Sequence, residues 1–301
     1  MKNPFKRLFS GKKKSRELEV PSVQTSPLSE DQILAANNQV STFKPMQLLV
    51  GSGQSVGMQR DHNEDTLFTM SSVIANGTND LPLGILIVAD GMGGHRNGEV
   101  ASNVAARVVA KNLIKKVYSH FIETQQETLR ESLQEIMNHA IQEAHKSILQ
   151  AAPGGGTTFT GALIVGEQVT IGHIGDSRAY FIHPNGRIER LTKDHSLVQR
   201  MVELEEITEA EAAVHPNRNV LLKALGQTES ANPDIHTFPF PKNGYLMLCS
   251  DGLWGVVPEN EILCLLQNDY DPVITCGKLV DAANAHGGPD NISVILVHRF
   301  G

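Results

Sequence analysis

The sequence predicts a mixed α+β fold in which antiparallel sheet and helices form separate layers. Strand-like segments at residues 159–165, 169–174 and 179–182 follow one another closely, with turn residues at 184–186. Consecutive short strands joined by turns are typical of antiparallel sheet. Two long amphipathic helical patterns precede these strands, and the chain has no internal repeat and no regular alternation of strands and helices. This order favours helices layered on sheets over a doubly wound parallel sheet.

The first 45 residues differ in composition from the rest, which predicts a tail at residues 1–45 and one folded domain at residues 46–301. The tail carries eight Lys and Arg residues against four Asp and Glu, followed by a stretch rich in Pro, Ser, Gln and Asn. Its low apolar content cannot offset the entropy of ordering, so we expect disorder. Phe5, Leu8 and Phe9 lie among the basic residues. They make the tail a candidate weak anchor for an anionic membrane surface; the alternative is a solvated basic tail.

The remaining residues are acidic, with 18 Lys and Arg against 29 Asp and Glu. This balance argues against a nucleic-acid surface. The sequence contains no apolar run of 18 residues and no secretory signal pattern, which predicts a cytoplasmic protein, with a membrane-peripheral location as the alternative if the tail is an anchor. Cys249, Cys264 and Cys276 lie within apolar patterns at spacings that fit neither a disulfide framework nor a metal knuckle. We expect them to be buried and reduced.

The elements of the folded domain can be predicted in chain order. Short strands are expected at residues 48–50 and 67–68, and further apolar strands at residues 86–89 and 245–249. Two helices with one apolar stripe each are expected at about 100–117 and 129–148. After the consecutive strands, residues 194–226 are polar and acidic, and we interpret them as a helical flap inserted over the sheet edge. Helical patterns at residues 259–266 and 272–285 and a last strand at residues 292–297 complete the domain.

Four of the predicted strands begin or end at an aspartate. Asp90, Asp176 and Asp251 each follow an apolar run, and Asp290 directly precedes the last strand. Asp90 alone would be equally well explained as a turn residue, because Asp-Gly is common turn chemistry. Four converging carboxylates would repel one another unless cations neutralised them, and an all-oxygen set suits Mg²⁺ or Mn²⁺ better than zinc. Gly91 would leave its backbone carbonyl open to the same cations.

Such a centre would suit hydrolysis at phosphorus. Two divalent ions about 4 Å apart acidify a bridging water and clamp the attacking oxygen of an in-line displacement. Arg60 could hold two phosphoryl oxygens in a fork geometry that lysine cannot reproduce. An arginine in an acidic segment is more commonly a surface ion pair, but Glu64 and Asp65 lie beside it and could reach the metals directly or through water.

Seven ordered motifs carry a resemblance to a known family. They are Arg60-x-x-Asn63-Glu64-Asp65, Asp90-Gly91-Met92-Gly93-Gly94-His95, Gly175-Asp176-Ser177-Arg178-Ala179-Tyr180, Lys193-Asp194-His195-Ser196-Leu197-Val198, His215-Pro216-x-Arg218-Asn219, Ser250-Asp251-Gly252-Leu253-Trp254 and Asp290-Asn291. Between about Gly57 and Val297, the chain resembles the bacterial form of the metal-dependent PP2C-type protein serine/threonine phosphatases.

The resemblance implies a four-layer α/β/β/α sandwich of two antiparallel sheets flanked by helices, with a site for Mn²⁺ or Mg²⁺ at one end. It implies hydrolysis of phosphoserine and phosphothreonine in proteins phosphorylated by Ser/Thr kinases. Asp90 would bridge the two main ions, the Gly91 carbonyl, Asp251 and Asp290 would complete their coordination, and Glu64 or Asp65 would act through waters. Asp176 would hold a third, weaker ion with Asp251, and Arg60 would bind the phosphate.

Two residues leave questions open within this resemblance. His95 is a candidate general acid for the leaving hydroxyl, because its usual pKa allows either protonation state near neutrality; alternatively, it is a polar residue near a helix start. Gly255 stands where many relatives have an acid, which puts metal affinity in question. Two other functions stay open: a feebly active module that binds phosphoproteins, and a hydrolase of small phosphoesters.

Overall fold

The computed structural model describes residues 45–76, 78–93, 96–122, 129, 131–227, 229–268 and 271–300. Residues 1–44 lie outside this range, so the predicted tail is not described. His95, the candidate general acid, also lies outside the described residues.

Two five-stranded sheets dominate the described part of the chain, and every strand pair in them is antiparallel. Sheet I has the order β1-β12-β11-β8-β9, and sheet II has the order β10-β7-β6-β3-β2. A short pair, β4 and β5, lies apart from them. The strands are β1 (Gln47–Ser55), β2 (Thr66–Ala75), β3 (Asp80–Ala89), β4 (Gly91–Met92), β5 (Gly156–Thr157), β6 (Phe159–Val165), β7 (Gln168–Ile174), β8 (Arg178–Ile182), β9 (Ile188–Arg190), β10 (Asp234–Pro239), β11 (Tyr245–Cys249) and β12 (Ile292–Phe300).

The helices fall into an N-terminal group, a short pair in the middle and a C-terminal group. They are α1 (Arg96–Leu113), which continues through a π-helical turn at Ile114–Tyr118 into α2 (Ser119–Ile122), then α3 (Leu133–Ala151), α4 (Leu197–Glu203), α5 (Glu209–Ala213), α6 (Asp251–Trp254), α7 (Glu259–Asn268) and α8 (Pro272–Ala285). Capping residues in the sequence determine where several of these helices begin. Ser132 and Glu135 form a reciprocal capping box at α3, and the Asp271 side chain caps α8.

Three hydrophobic clusters separate four layers. Strand β3 shows how: Ile85 and Ile87 pack in one cluster with α1 and α3, whereas Leu86 and Val88 pack in another, between the two sheets. A third cluster joins the opposite face of sheet I to α7 and α8, for example through Met247. Because strand side chains alternate between faces, a central strand buried on both faces is apolar throughout. The predicted sandwich of two antiparallel sheets flanked by helices is therefore confirmed.

The structure differs from the predicted elements at polar strands and at one cysteine. Strands β9 and β10 were not predicted, because both lie at sheet edges and expose much of their length, which removes the apolar signal. Cys249 and Cys276 are buried as expected, but Cys264 is exposed on α7, so its predicted burial is wrong. Among the described residues, no helix is both long and apolar enough to cross a membrane.

Candidate active site

Strand register brings the predicted acidic residues to one end of the sandwich. In sheet II, Ala89 at the end of β3 lies opposite Thr66 at the start of β2. In sheet I, Cys249 at the end of β11 lies opposite Val294, close to the start of β12. Antiparallel pairing therefore places residues that follow β3, β7 and β11 beside residues that precede β2, β6 and β12. Asp90, Asp251, Asp176, Asp65 and Asp290 occupy such positions.

The carboxylates of this group lie close enough to disturb one another's ionisation. Burial raises the pKa of Asp90 well above its usual value, and the charges of Asp65, Asp251, Asp176 and Asp290 raise it further. Burial likewise raises the pKa of Asp176, with Asp251 as the next largest cause. Like charges gathered in a poorly solvated place make the ionised forms costly, so the site favours a group that supplies positive charge.

Two buried carboxylate oxygens lack a hydrogen-bond partner within the described part of the chain: Oδ1 of Asp65 and Oδ1 of Asp251. Burial raises the pKa of Asp65 to about 7 and that of Asp251 to about 6. No three carboxylate, thiol or imidazole side chains among the described residues already form a closed metal cage. The fit to a hard divalent cation rests instead on orphaned carboxylate oxygens, which such ions prefer as ligands.

Glycines allow Glu64 to approach this group. A Cβ atom on Gly91 would lie 2.6 Å from the Glu64 carbonyl oxygen, and a Cβ on Gly98, in the first turn of α1, would collide with the Glu64 carboxylate. The Glu64 carboxylate also lies 3.0 Å from Nε2 of His62. The backbone here is fixed by Ser102, whose buried Oγ donates to the Glu64 carbonyl at 2.6 Å. Glu64 is thus held between the end of β3 and the start of α1.

Arg60 is paired with a predicted metal ligand. Its Nη2 atom donates to Oδ2 of Asp290 at 2.6 Å, and half of the arginine side chain is exposed. Burial alone would lower the Arg60 pKa, but the charges of Asp290, Asp251 and Glu64 raise it above its usual value. The guanidinium therefore stays charged at the rim of the carboxylate group, where its outer face meets solvent.

The loop that carries Arg60 is fastened by one side chain that had no predicted role. The Asn291 amide donates to the carbonyls of Val56 and His62, both at 2.9 Å, and its oxygen accepts the Glu64 N–H at 2.8 Å. Asn291 directly follows Asp290, so these bonds hold the Arg60 loop in register with that carboxylate. The sequence had offered Asn291 only as part of a motif.

A cleft of about 490 Å³ opens beside the carboxylates and beneath residues 194–226. Its lining comes from two sides. The carboxylate side contributes Arg60, Asp176, Asp251 and Asp290, and the flap side contributes Ser196, Val198, Gln199, Glu209, Arg218 and Asn219, among others. The described flap segment carries the short helices α4 and α5, and Ser196 pairs with Leu221 within it. The flap joins β5 at its end, through a second bridge between Leu225 and Thr157. Its position makes the cleft the place where an extended phosphorylated segment could lie.

The structure thus places the predicted metal-binding residues at one end of the sandwich and pairs Arg60 with Asp290. Which roles these residues have stays a prediction. Sequence reasoning missed the side chains that hold them, such as Asn291, Ser102 and Ser293, whose Oγ donates to Oδ2 of Asp65 at 2.7 Å. Small polar residues give no distinctive signal in one sequence, since their partners are set by the tertiary fold.

Comparisons with known proteins agree with this geometry. Residues 50–292 match the family model described as Protein phosphatase 2C. The chain is 37% identical over 252 residues to a serine/threonine phosphatase, Stp, of Listeria welshimeri, a match that covers 81% of this chain and 92% of that protein. It is 31% identical to the protein phosphatase PhpP of Streptococcus pneumoniae, over 80% of this chain and 94% of that protein.

Solved structures show the same likeness. The Mycobacterium tuberculosis serine/threonine phosphatase PstP/Ppp has a TM-score of 0.69 and 30% identity, covering 84% of this chain and 99% of that one. A structure of the PstP catalytic domain in complex with two manganese ions has a TM-score of 0.68 and 29% identity, covering 85% of this chain and 100% of that one. The sequence match across most of the chain, the shared fold and the clustered carboxylates lead to one conclusion: this chain belongs to the protein phosphatase 2C family.

Proposed function

We propose that this chain hydrolyses phosphoserine and phosphothreonine in proteins, with Asp90, Asp251 and Asp290 at the centre of a site for Mn²⁺ or Mg²⁺. Membership of the protein phosphatase 2C family confirms the predicted class of enzyme, a metal-dependent protein serine/threonine phosphatase. The observation that supports these residue roles is the group of mutually repelling carboxylates at one end of the sandwich, with orphaned oxygens on Asp65 and Asp251.

The proposed roles are those that the family resemblance implies for each group. Asp90, Asp251, Asp290 and the Gly91 carbonyl would hold the two main ions, with Glu64 and Asp65 supporting them through waters. Asp176 and Asp251 would hold a third, weaker ion. When bound, divalent ions lower the pKa of water and neutralise charge that develops on phosphoryl oxygens.

Arg60 and the cleft would position the substrate. The Arg60 guanidinium lies 2.6 Å from Asp290, at the rim, so it can turn its free N–H groups towards a phosphoryl group without leaving the carboxylates. The cleft lies between the carboxylates and the flap, so a phosphorylated segment within it would meet Arg60 and Asp290. Family membership favours a protein substrate over a small phosphoester. His95 is proposed as general acid from its sequence position alone.

The test is phosphate release from a phosphothreonine peptide with Mn²⁺, with Mg²⁺ and with chelator, measured on the wild type, Asp251→Asn and Asp271→Asn. Asp271 caps α8 away from the carboxylate group, and asparagine caps a helix as well as aspartate does. We expect activity that requires metal, collapses in Asp251→Asn and persists in Asp271→Asn. A wild type that binds metal but releases no phosphate would favour the alternative of a phosphoprotein-binding module.

Three finer proposals rest on sequence alone: substrates phosphorylated by Ser/Thr kinases, a cytoplasmic location, and contact of the basic segment at residues 1–20 with anionic membranes. The last is supported by Phe5, Leu8 and Phe9 among basic residues. Co-sedimentation with anionic vesicles, with and without residues 1–20, tests it. Equal binding by both forms would contradict an anchor and leave a solvated tail.

A further inference from the structure

Three of the sequence motifs meet beside Asp176, at residues for which no role has been assigned. The Arg178 guanidinium grips the Asp194 carboxylate as a fork, with Nη2 at 2.6 Å from Oδ2 and Nε at 3.0 Å from Oδ1. The same guanidinium lies over the ring of Trp254, 3.4 Å from its centroid. Trp254 in turn donates its indole N–H to the carbonyl of Asp176 at 3.0 Å. We call Arg178, Asp194 and Trp254 the arginine clamp.

The arginine clamp contacts the loop at residues 175–177, in which every residue is held by a hydrogen bond. Gly175 accepts the His195 N–H at 2.7 Å, and its own N–H donates to Nδ1 of that histidine at 3.2 Å. Ser177 Oγ lies 2.8 Å from Oγ1 of Thr158. Asp176 lies between these two ties, with its carbonyl held by the indole. The backbone around Asp176 is therefore fixed on both sides, in the wall of the cleft that Asp251 also lines.

The clamp also joins both halves of this carboxylate pair. Trp254 ends α6, the four-residue helix that Asp251 begins, and Arg178 begins β8 two residues after Asp176. A guanidinium on the indole face is stabilised by the ring electrons, and the fork to Asp194 fixes its plane. Asp194 is buried at the start of the flap segment. The arginine clamp thus connects Asp176 and Asp251 to Asp194 at the start of the flap segment.

We propose that Arg178 is a positioning residue, which sets the Asp176–Asp251 pair for its divalent ion through Trp254 and couples that ion to the base of the flap. This inference rests on the proposed role of Asp176 as a ligand of the third, weaker ion. Removing a group that orients a metal ligand typically weakens metal binding by about 10- to 100-fold. Loss of the Arg178 fork should therefore weaken the ion held by Asp176. The two main ions should stay nearly unchanged, because Asp90, Asp290 and the Gly91 carbonyl, which lie outside the clamp, would hold them together with Asp251.

Trp254 is the one tryptophan of the chain, so its fluorescence reports on the clamp directly. The experiment titrates the full-length protein with Mg²⁺ and records both Trp254 emission and the number of bound ions by calorimetry. The variants are Arg178→Lys, which keeps the charge but loses the fork, and Asp176→Asn. The matched control is Arg299→Lys. Arg299 is a buried arginine that pairs with Glu167 near the far end of β12.

In the wild type, we expect Trp254 emission to change as the weakest ion binds, and we expect Asp176→Asn to abolish that change. Arg178→Lys should need about 10-fold more Mg²⁺ for the same change, while its tighter ions bind as in the wild type. Arg299→Lys should lose stability but keep the wild-type midpoint. A wild-type midpoint in folded Arg178→Lys would overturn the proposal and leave the clamp as packing.

A second variant covers the case in which Arg178→Lys fails to fold. Trp254→Phe keeps an aromatic ring under Arg178 and removes the indole N–H that holds the Asp176 carbonyl. Calorimetry should show a weaker last ion in Trp254→Phe, and an unchanged last ion would refute the proposal. A wild type that binds no Mg²⁺ at all would instead overturn the proposed metal centre, together with this inference. The two failures are therefore distinguishable.

Discussion

Substitution of Asn291 by leucine tests how much of the site depends on one amide group. Asn291 is 6% exposed and makes three hydrogen bonds to the loop between β1 and β2, through Val56, His62 and Glu64. Leucine has the same number and branching of side-chain heavy atoms and cannot make any of them. The substitution therefore removes the polar contacts while it keeps the shape of the side chain.

The expected loss follows from the number of bonds. Each hydrogen bond contributes about 1 kcal/mol net to the free energy of unfolding. A polar group that is left buried without any partner costs more than this. Three lost bonds therefore lower the free energy of unfolding by about 3 kcal/mol or more. In a domain of this size, 1 kcal/mol corresponds to about 2–4 °C, so Tm should fall by about 6–12 °C. The loosened loop carries Arg60, and misplacement of a binding group by about 1 Å can lower kcat/KM by about 100-fold.

Calorimetric unfolding in chelator and steady-state hydrolysis of a phosphothreonine peptide measure the two effects. Asn138→Leu is the matched control, because Asn138 is exposed on α3 and only accepts a weak bond from Gln142 at 3.5 Å. The control should keep the wild-type Tm and kcat/KM. If Asn291→Leu unfolded at the wild-type temperature, the argument from its three bonds would be wrong. If Tm fell but kcat/KM stayed unchanged, the loop would not depend on Asn291 for its catalytic geometry.

Three further predictions follow from the same site. Gly98→Ala should displace the Glu64 carboxylate and lower metal affinity by about 10-fold. Its control is Gly277→Ala, at a helical position with open space around it, which should raise stability by up to about 1 kcal/mol. Equal metal affinity in the two variants, measured calorimetrically, would contradict this prediction. Arg60→Lys should lower kcat/KM by about 10-fold, since lysine loses one charge-assisted hydrogen bond of about 1.5 kcal/mol to the phosphoryl group. An unchanged kcat/KM would exclude two-point binding of the phosphoryl group by the Arg60 guanidinium. In chelator, Tm should fall between about pH 4 and pH 7, because burial raises the pKa of Asp251 from 3.8 to about 6 and that of Asp65 from 3.8 to about 7. The folded state binds these protons more tightly than the unfolded state, so it loses stability as they dissociate. A Tm that rises over this range would refute the sign.

The positions of the acids could be predicted because a sheet has a fixed period. An apolar run that stops at an aspartate marks the end of a buried strand, and antiparallel neighbours bring such ends together. The recurrence of this pattern therefore predicted that Asp90 and Asp251 lie at strand ends, although Asp90 alone could have been a turn residue. Asp65 was a weaker prediction, since it follows a loop, and only the fold shows that it is buried beneath Ser293. Strand β10 escaped prediction for the opposite reason: an exposed edge strand lacks an apolar face.

The contacts that fix the site could not be predicted from local pattern, because they join residues far apart in the chain. Trp254 and Asp176 lie 78 positions apart, and Asn291 reaches back 235 positions to Val56. One sequence shows that these residues are present but not that they meet. The distinction has a functional consequence. The carboxylates supply charge, which depends on residue type, whereas their spacing depends on long-range contacts through the fold. Substitutions such as Asn291→Leu and Arg178→Lys leave every proposed metal ligand in place, so any loss of metal binding they cause measures geometry apart from charge.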